Sequence, residues 1–221
     1  SGTDANTYPM GLKPSDFTAT SPNYKKITIE VTDGWLKIDP IADKVTVTVT
    51  ENSAAVTYDG TEHSVTGYKS MTADNTLYDV EKNVAEKPTK AWTAKGTDAG
   101  EYQVGIVSGD FKNTSVNFTN VEFVIVDGTL KIDPVSDKVT VTITENADTV
   151  IYDTKEHSVT GYKSMTADNA LYDVKKNVAE TPTEAWTAKG TDVGEYPVGI
   201  KADDFENTSS NFTNVEFVIV D

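Results

Sequence analysis

A chain of 221 residues without cysteine is long enough to bury a core, but it cannot hold that core with disulfides or use a thiolate as ligand or nucleophile. Its net charge is −16 and its 19 basic residues are all Lys. Without Arg there is no bidentate fork for phosphates or base edges, so nucleic acid and anionic membrane are set aside as partners.

The longest apolar run, Phe123-Val124-Ile125-Val126, is far too short for a membrane helix, and residues 1–20 show no signal-peptide pattern. Taken in chain order, the first distinctive stretch is 2–8 (GTDANTY). It returns at 96–102 (GTDAGEY) and 190–196 (GTDVGEY), 94 residues apart each time. A period of this length belongs to whole small domains rather than to short solenoid units. Residues 1–36 then read as the C-terminal part of an incomplete repeat. Residues 37–130 make a full repeat, and 131–221 a second one lacking its last few residues. A chain that opens inside a repeat is expected to be a piece of a longer array. Between 37–127 and 131–221, 20 of 91 positions differ, so both full copies are expected to present the same surface.

Each full copy begins with strict alternation. Val45, Val47 and Val49 face one way and Thr46, Thr48 and Thr50 the other, and Val139, Val141 and Ile143 repeat the pattern. β-Branched residues at period two predict a half-buried strand. Residues 51–53 read as a turn, 55–58 as a strand, Asp59-Gly60 as a turn with Asp153-Thr154 in its place in the second copy, and 63–68 as a further strand. In 74–86, Leu77, Val80 and Val84 sit at helical spacing, with Asp74 as a cap and Pro88 as a stop; a helix of one to three turns competes there with an irregular edge. Residues 91–95 read as a strand with Trp92 inward. The next strand puts Tyr102, Val104 and Ile106 on one face. A loop over 109–120 follows, anchored by Phe111 and Phe118. The closing strand turns Val121, Phe123 and Ile125 inward, and Val124 and Val126 outward toward a neighbouring repeat or chain. Asp127-Gly128 makes either a hairpin or a bend. Asp133-Pro134 opens a short, stiff linker, so the repeats are expected to form a semi-rigid rod.

Asp98, Gly100 and Tyr102, and likewise Asp192, Gly194 and Tyr196, have the spacing of the tyrosine corner of immunoglobulin-like sandwiches. Asn6 replaces the Gly in the first copy, and both residue types tolerate positive φ, which makes this a structural corner rather than a ligand site. Pro9 and Pro197 lie in the strand that follows and count against a strict immunoglobulin topology. The expected fold is all-β: tandem immunoglobulin-like β-sandwich modules, with β-grasp-like α+β modules as the alternative if 74–86 is helical.

Four segments, 58–63 (YDGTEH), 96–102 (GTDAGEY), 117–123 (NFTNVEF) and 127–132 (DGTLKI), together resemble the MBG-type repeats of large surface and adhesin-like proteins of bacteria, chiefly Gram-positive species. The resemblance covers essentially the whole chain. It implies a stalk or an adhesive array on the bacterial cell surface, anchored by a segment outside these residues. Thr154 departs from the pattern, which has Gly at that turn.

Catalytic chemistry is not expected. His63 and His157 are one position in two copies, and Ser64 points to the opposite face of a strand from His63. The carboxylates of Asp74, Asp79, Asp98 and Asp110 are scattered and form no closely spaced calcium ligand set. No cofactor or metal is assigned. Asn113, Asn117, Asn207 and Asn211 fit the glycosylation acceptor pattern. Lys44 with Asn117, and Lys138 with Asn211, are the pairs for a Lys–Asn isopeptide cross-link.

The expected function is therefore a non-catalytic extracellular stalk or spacer of a bacterial surface protein, whose partners are its neighbouring repeats. One alternative is a repeated adhesive module for a host glycan or protein, with Tyr68, Tyr78, Tyr162 and Tyr172 as an aromatic platform. Another is an accessory domain of a large secreted enzyme. The incomplete repeats at the two ends also allow head-to-tail self-association by strand addition.

Overall fold

The computed structural model describes residues 1–182 and 184–221. The incomplete repeat contributes β1 (Asn6–Pro9) and β2 (Trp35–Ile38). The first full repeat contributes β3 (Val45–Glu51), β4 (Ala54–Thr57), β5 (His63–Thr66), β6 (Tyr68–Ala73), a single helical turn α1 (Val80–Asn83) and β7 (Val84–Glu86). It continues through β8 (Thr93–Gly96), β9 (Gly100–Gln103), β10 (Phe111–Asn113) and β11 (Val121–Val126), and β12 (Thr129–Asp133) leads into the next repeat. The second full repeat contributes β13 (Val139–Glu145), β14 (His157–Thr160), β15 (Tyr162–Ala167), α2 (Val174–Asn177), β16 (Val178–Glu180), β17 (Thr187–Gly190), β18 (Phe205–Asn207) and β19 (Val215–Val220). Strand makes up 41% of the chain and helix 8%, so the fold is all-β.

The chain forms two compact units, and these do not follow the sequence repeat. One comprises Ser1–Asn52, Thr66–Trp92 and Val104–Gly128; the other comprises Ser53–Val65, Thr93–Gln103 and Thr129–Asp221. The repeat 37–130 is thus divided between the two units, part of it joined to residues 1–36 and part to residues 131–221.

In the first unit β3 is the middle strand of a mixed sheet. β11 lies parallel to it (Val45 opposite Val121) and β6 antiparallel (Val47 opposite Ala73). Val45, Val47 and Val49 are fully buried, as their alternation requires, and the core is closed by Tyr78 and Phe118 with Met71 and Phe123 around them. β7 pairs with β10, and β1 with β2. In the second unit β13 has the same place between parallel β19 and antiparallel β15, over a core that includes Tyr172, Phe205 and Phe212. That unit also contains a sheet in which β12 runs between β4, to which it is parallel, and β9, to which it is antiparallel. β9 is thus an edge strand. The prolines at the end of this strand in the other copies remove no central ladder bond.

Several sequence expectations change. Glu51 is not in a turn but is the last residue of β3. The period-two pattern carries it onto the face of Val45, Val47 and Val49, where it is 2% exposed. The stretch 74–86 makes a helix at the short end of the expected range: α1 is one turn, capped by Asp79 rather than Asp74, Leu77 is exposed, and β7 follows at once. Asp74 instead accepts the Thr46 N–H at 2.9 Å. Without a longer helix, the α+β alternative loses its basis. The strand expected over 63–68 is broken at Gly67, whose φ of +71° ends β5 and starts β6. Asp127-Gly128 is a bend and not a hairpin, since β11 and β12 pair with different partners. A Cβ at Gly128 would collide with the backbone of Asn52.

Thr154 takes the conformation of the glycine it replaces, with φ +68° against +78° for Gly60. Left-handed backbone is strained for a β-branched residue. Thr154→Gly is therefore expected to stabilise the chain by about 1 kcal/mol, read as a raised midpoint in thermal or urea unfolding.

Candidate functional site

The repeated GTD motif forms its corner around its first glycine. The ring of Tyr102 lies over Gly96, so that a Cβ there would fall inside the ring; Gly2 beneath Tyr8 and Gly190 beneath Tyr196 are alike. The Tyr102 hydroxyl donates to the Asp98 carbonyl at 2.9 Å, Tyr8 to Asp4 at 2.9 Å and Tyr196 to Asp192 at 3.2 Å. Gly100 and Gly194 play a lesser part than the sequence suggested. Neither has positive φ, and a Cβ on either would make ordinary contact with the Tyr ring, which explains why Asn6 fits the position.

This corner turns Asp98 and Ala99 outward, and the next repeat meets them. The Ala99 N–H donates to Asn211 Oδ1 at 2.6 Å, and Asn211 Nδ2 donates to Asp98 Oδ1 at 2.9 Å. The same two bonds occur one repeat earlier, from Ala5 N–H to Asn117 Oδ1 at 2.6 Å and from Asn117 Nδ2 to Asp4 Oδ1 at 3.0 Å. A primary amide suits this role because it offers an acceptor and a donor side by side. Its backbone is anchored as well. The Asn211 carbonyl accepts from Val135 N–H in the linker, whose own carbonyl accepts from Thr213 N–H; Asn117, Ile41 and Thr119 repeat this.

Beside Asn211, buried Phe212 meets Tyr172 of its own repeat and Tyr58 of the preceding one, edge-on, with centroids 5.1 and 5.6 Å apart. The turn after Tyr58 is held by Asp59, which accepts the Thr61 hydroxyl at 2.7 Å and the Thr61 N–H at 2.9 Å; His63 Nε2 lies 2.9 Å from the same oxygen. The Thr61 hydroxyl, its N–H and then His63 hold the Asp59 carboxyl down at about 2. His63 and His157 are the first residues of β5 and β14, and each pairs with the aspartate of the turn before its strand. Segments of the YDGTEH, GTDAGEY and NFTN types and the DGTLKI strand β12 thus belong to one assembly: the joint between consecutive repeats.

Other sequence candidates are placed differently. Lys44 pairs with Glu122 and Lys138 with Glu216, while Asn117 and Asn211 are used in the joints, so the Lys–Asn pairs are not brought together. Asn113 is an internal bracket, accepting from the Tyr78 hydroxyl at 2.9 Å and donating to the Phe118 carbonyl at 2.8 Å. Asp110 is fully buried. Its burial opposes ionisation, but donors from Trp92, Val107 and Thr89 outweigh that and hold its carboxyl below the ordinary range. Sequence reasoning missed this network, although the Trp recurs 18 residues before the Asp in both full copies, and Trp186 meets Asp204 at 2.9 Å.

Tyr78 and Tyr172 are 4% exposed and cannot serve as an aromatic platform. Tyr68 and Tyr162 do reach the surface, in a groove of about 330 Å³ between β6 and β7 and one of about 470 Å³ between β15 and β16. Their hydroxyls donate to Glu86 and Glu180 at 2.6 Å, and each ring packs edge-on against a Trp. The Glu86 hydrogen bond, with partial burial and the carboxylate charge, pushes Tyr68 up to about 12. A raised folded-state value gives stability that is fully present below the ordinary tyrosine range and lost as pH rises through about 12. Glu86→Gln should bring Tyr68 back toward the ordinary value of 10.0, seen as earlier tyrosinate absorbance in a spectrophotometric titration.

Among the described residues no three His, Cys, Asp or Glu side chains converge to hold a metal, and no helix is long and apolar enough to cross a membrane. Comparison with protein-family models, with curated proteins and with solved structures found no match.

Proposed function

We propose that this chain is part of a non-catalytic extracellular repeat array that serves as a semi-rigid stalk of a bacterial surface protein. One observation carries the reading: the joint is built twice from the same atoms, Asp4 and Ala5 on Asn117, then Asp98 and Ala99 on Asn211. Each joint lies inside one compact unit and ties part of one sequence repeat to the next, which a spacer that transmits length and direction needs and a flexible tether does not. The Asp-Pro linkers act in the same sense, because proline fixes φ beside the joint. The bacterial surface location rests on the resemblance of the four joint segments to MBG-type repeats. An immunoglobulin-like sandwich reading of each module is supported by the tyrosine corner; the parallel pairings of β3 with β11 and β4 with β12 are where the modules part from an all-antiparallel sandwich.

Small-angle scattering over a concentration series tests the stalk. An elongated particle whose dimensions do not change with concentration is expected. A compact particle would sink the reading. The paired grooves at Tyr68 and Tyr162 favour a second reading, in which each repeat binds a glycan or peptide weakly and copy number supplies avidity. In that case chains with more repeats should bind an immobilised ligand far more tightly than one repeat does.

A further inference from the structure

We infer, resting on the second reading above, that the groove of each full repeat takes an extended peptide, which adds to the strand edges on its two sides. In the first repeat β6 is the outer strand of its sheet, with β3 as its partner, and β7 is paired with β10. The backbone groups that face the groove follow from these ladders, because antiparallel strands exchange bonds at every second residue. Asp74 N–H donates to the Thr46 carbonyl, and the register continues with Thr48 opposite Thr72. The N–H and C=O of Met71 therefore point away from β3. On the other wall Lys87 N–H donates to the Asp110 carbonyl and Thr114 N–H to the Asn83 carbonyl. The N–H of Glu86 and the carbonyls of Val84 and Glu86 therefore point away from β10.

Met71, Val84 and Glu86 all line the groove, so backbone donors and acceptors meet it from both sides. The second repeat copies this parity. Asp168 N–H donates to the Thr140 carbonyl, Thr181 N–H to the Asp204 carbonyl and Thr208 N–H to the Asn177 carbonyl, which turns Met165, Val178 and Glu180 to the second groove. A peptide repeats N–H and C=O at the spacing such edges need, and a glycan does not. The fold already holds one strand in this way, since β12 lies between parallel β4 and antiparallel β9. The rims differ in one charge. Glu81 stands at the first groove where Lys175 stands at the second, while Lys69 and Lys163, and Glu86 and Glu180, are shared. The first groove therefore favours a basic side chain on the peptide, and the second an acidic one.

Blocked heptapeptides of alternating Thr and Val, with either Lys or Glu at the centre, are titrated into the full chain. Amide exchange at Met71, Glu86, Met165 and Glu180 is followed by NMR. At saturating peptide these four amides should slow by about tenfold or more, as ladder bonds form on both walls. The Lys peptide should prefer the first groove and the Glu peptide the second by about threefold, the scale of an exposed ion pair. Glu81→Lys changes an exposed side chain and should reverse the preference of the first groove. Chitotetraose and sialyllactose are titrated in parallel. If they shift the groove resonances and the peptides do not, the grooves remain binding sites and the peptide strand is overturned. If no probe shifts them, both fall. Peptide binding that leaves the four amides unprotected, or a preference that Glu81→Lys does not change, would also overturn the inference.

Discussion

Replacing Glu51 with alanine is expected to destabilise the first compact unit by about 3 kcal/mol, the largest effect of any single substitution considered for this chain. The side chain lies in the core because the Val-Thr alternation of β3 continues for one more step than its apolar residues do. There it accepts two backbone donors, Ile106 N–H at 2.5 Å and Gly128 N–H at 2.7 Å. Both donors sit where the backbone changes course. Ile106 follows Gly105, whose φ is +80°, and Gly128 makes the bend before β12. Alanine would leave two buried N–H groups without an acceptor, and each lost bond to a charged group costs roughly 1.5–3 kcal/mol. Glu145→Ala should cost about half as much, since among the described residues Glu145 accepts from Ile200 N–H alone. Urea unfolding of the two variants measures the difference. Equal costs would show that the Gly128 bond contributes nothing.

The second large effect is expected at the joint. Asn211→Ala removes an acceptor from Ala99 N–H and a donor from the Asp98 carboxylate, at a cost of about 1.5 kcal/mol, because the site is half-buried and water can partly replace both bonds. The loss should be local. The corner itself, with Tyr102 bonded to the Asp98 carbonyl over Gly96, involves no atom of Asn211 and should remain. Asn117→Ala should have the same effect one repeat earlier, through Asp4 and Ala5. Urea unfolding measures the cost. A cost near zero would mean that the amide is dispensable at the joint.

The legible part of this fold is what periodicity and repetition encode. Val45, Val47, Val49 and their counterparts announced a buried face, and the burial pattern of Val121, Phe123 and Ile125 against exposed Val124 and Val126 agrees with the faces read from sequence. Phe111 and Phe118 are buried as they were read to be, but Phe111 opens β10 within what the sequence presented as a loop. Period two gives a strand its faces but not its partner, so the parallel pairing of β11 with β3 was not readable, nor was β6, whose YKSMTA sequence alternates poorly. Gly96 illustrates a different limit. Its motif was plain, but the reason for glycine is a ring lying across it, and such close approach leaves no trace in spacing. Asn211 was noticed for two chemistries, glycosylation and cross-linking, and its actual partner is 113 residues away in sequence, beyond any local pattern. The segments that carried the resemblance were read as separate motifs; 58–63, 96–102 and 127–132 gather around 211–217, the counterpart of 117–123 in the second repeat.

Amide hydrogen exchange at Ala5 and Ala99 tests that joint most directly, compared in the wild-type chain, Asn117→Ala and Asn211→Ala. Both amides should be protected in the wild type. Asn117→Ala should expose Ala5 alone, and Asn211→Ala should expose Ala99 alone. Free exchange at both positions in the wild type, or protection that survives loss of the facing asparagine, would contradict a joint made by these residues.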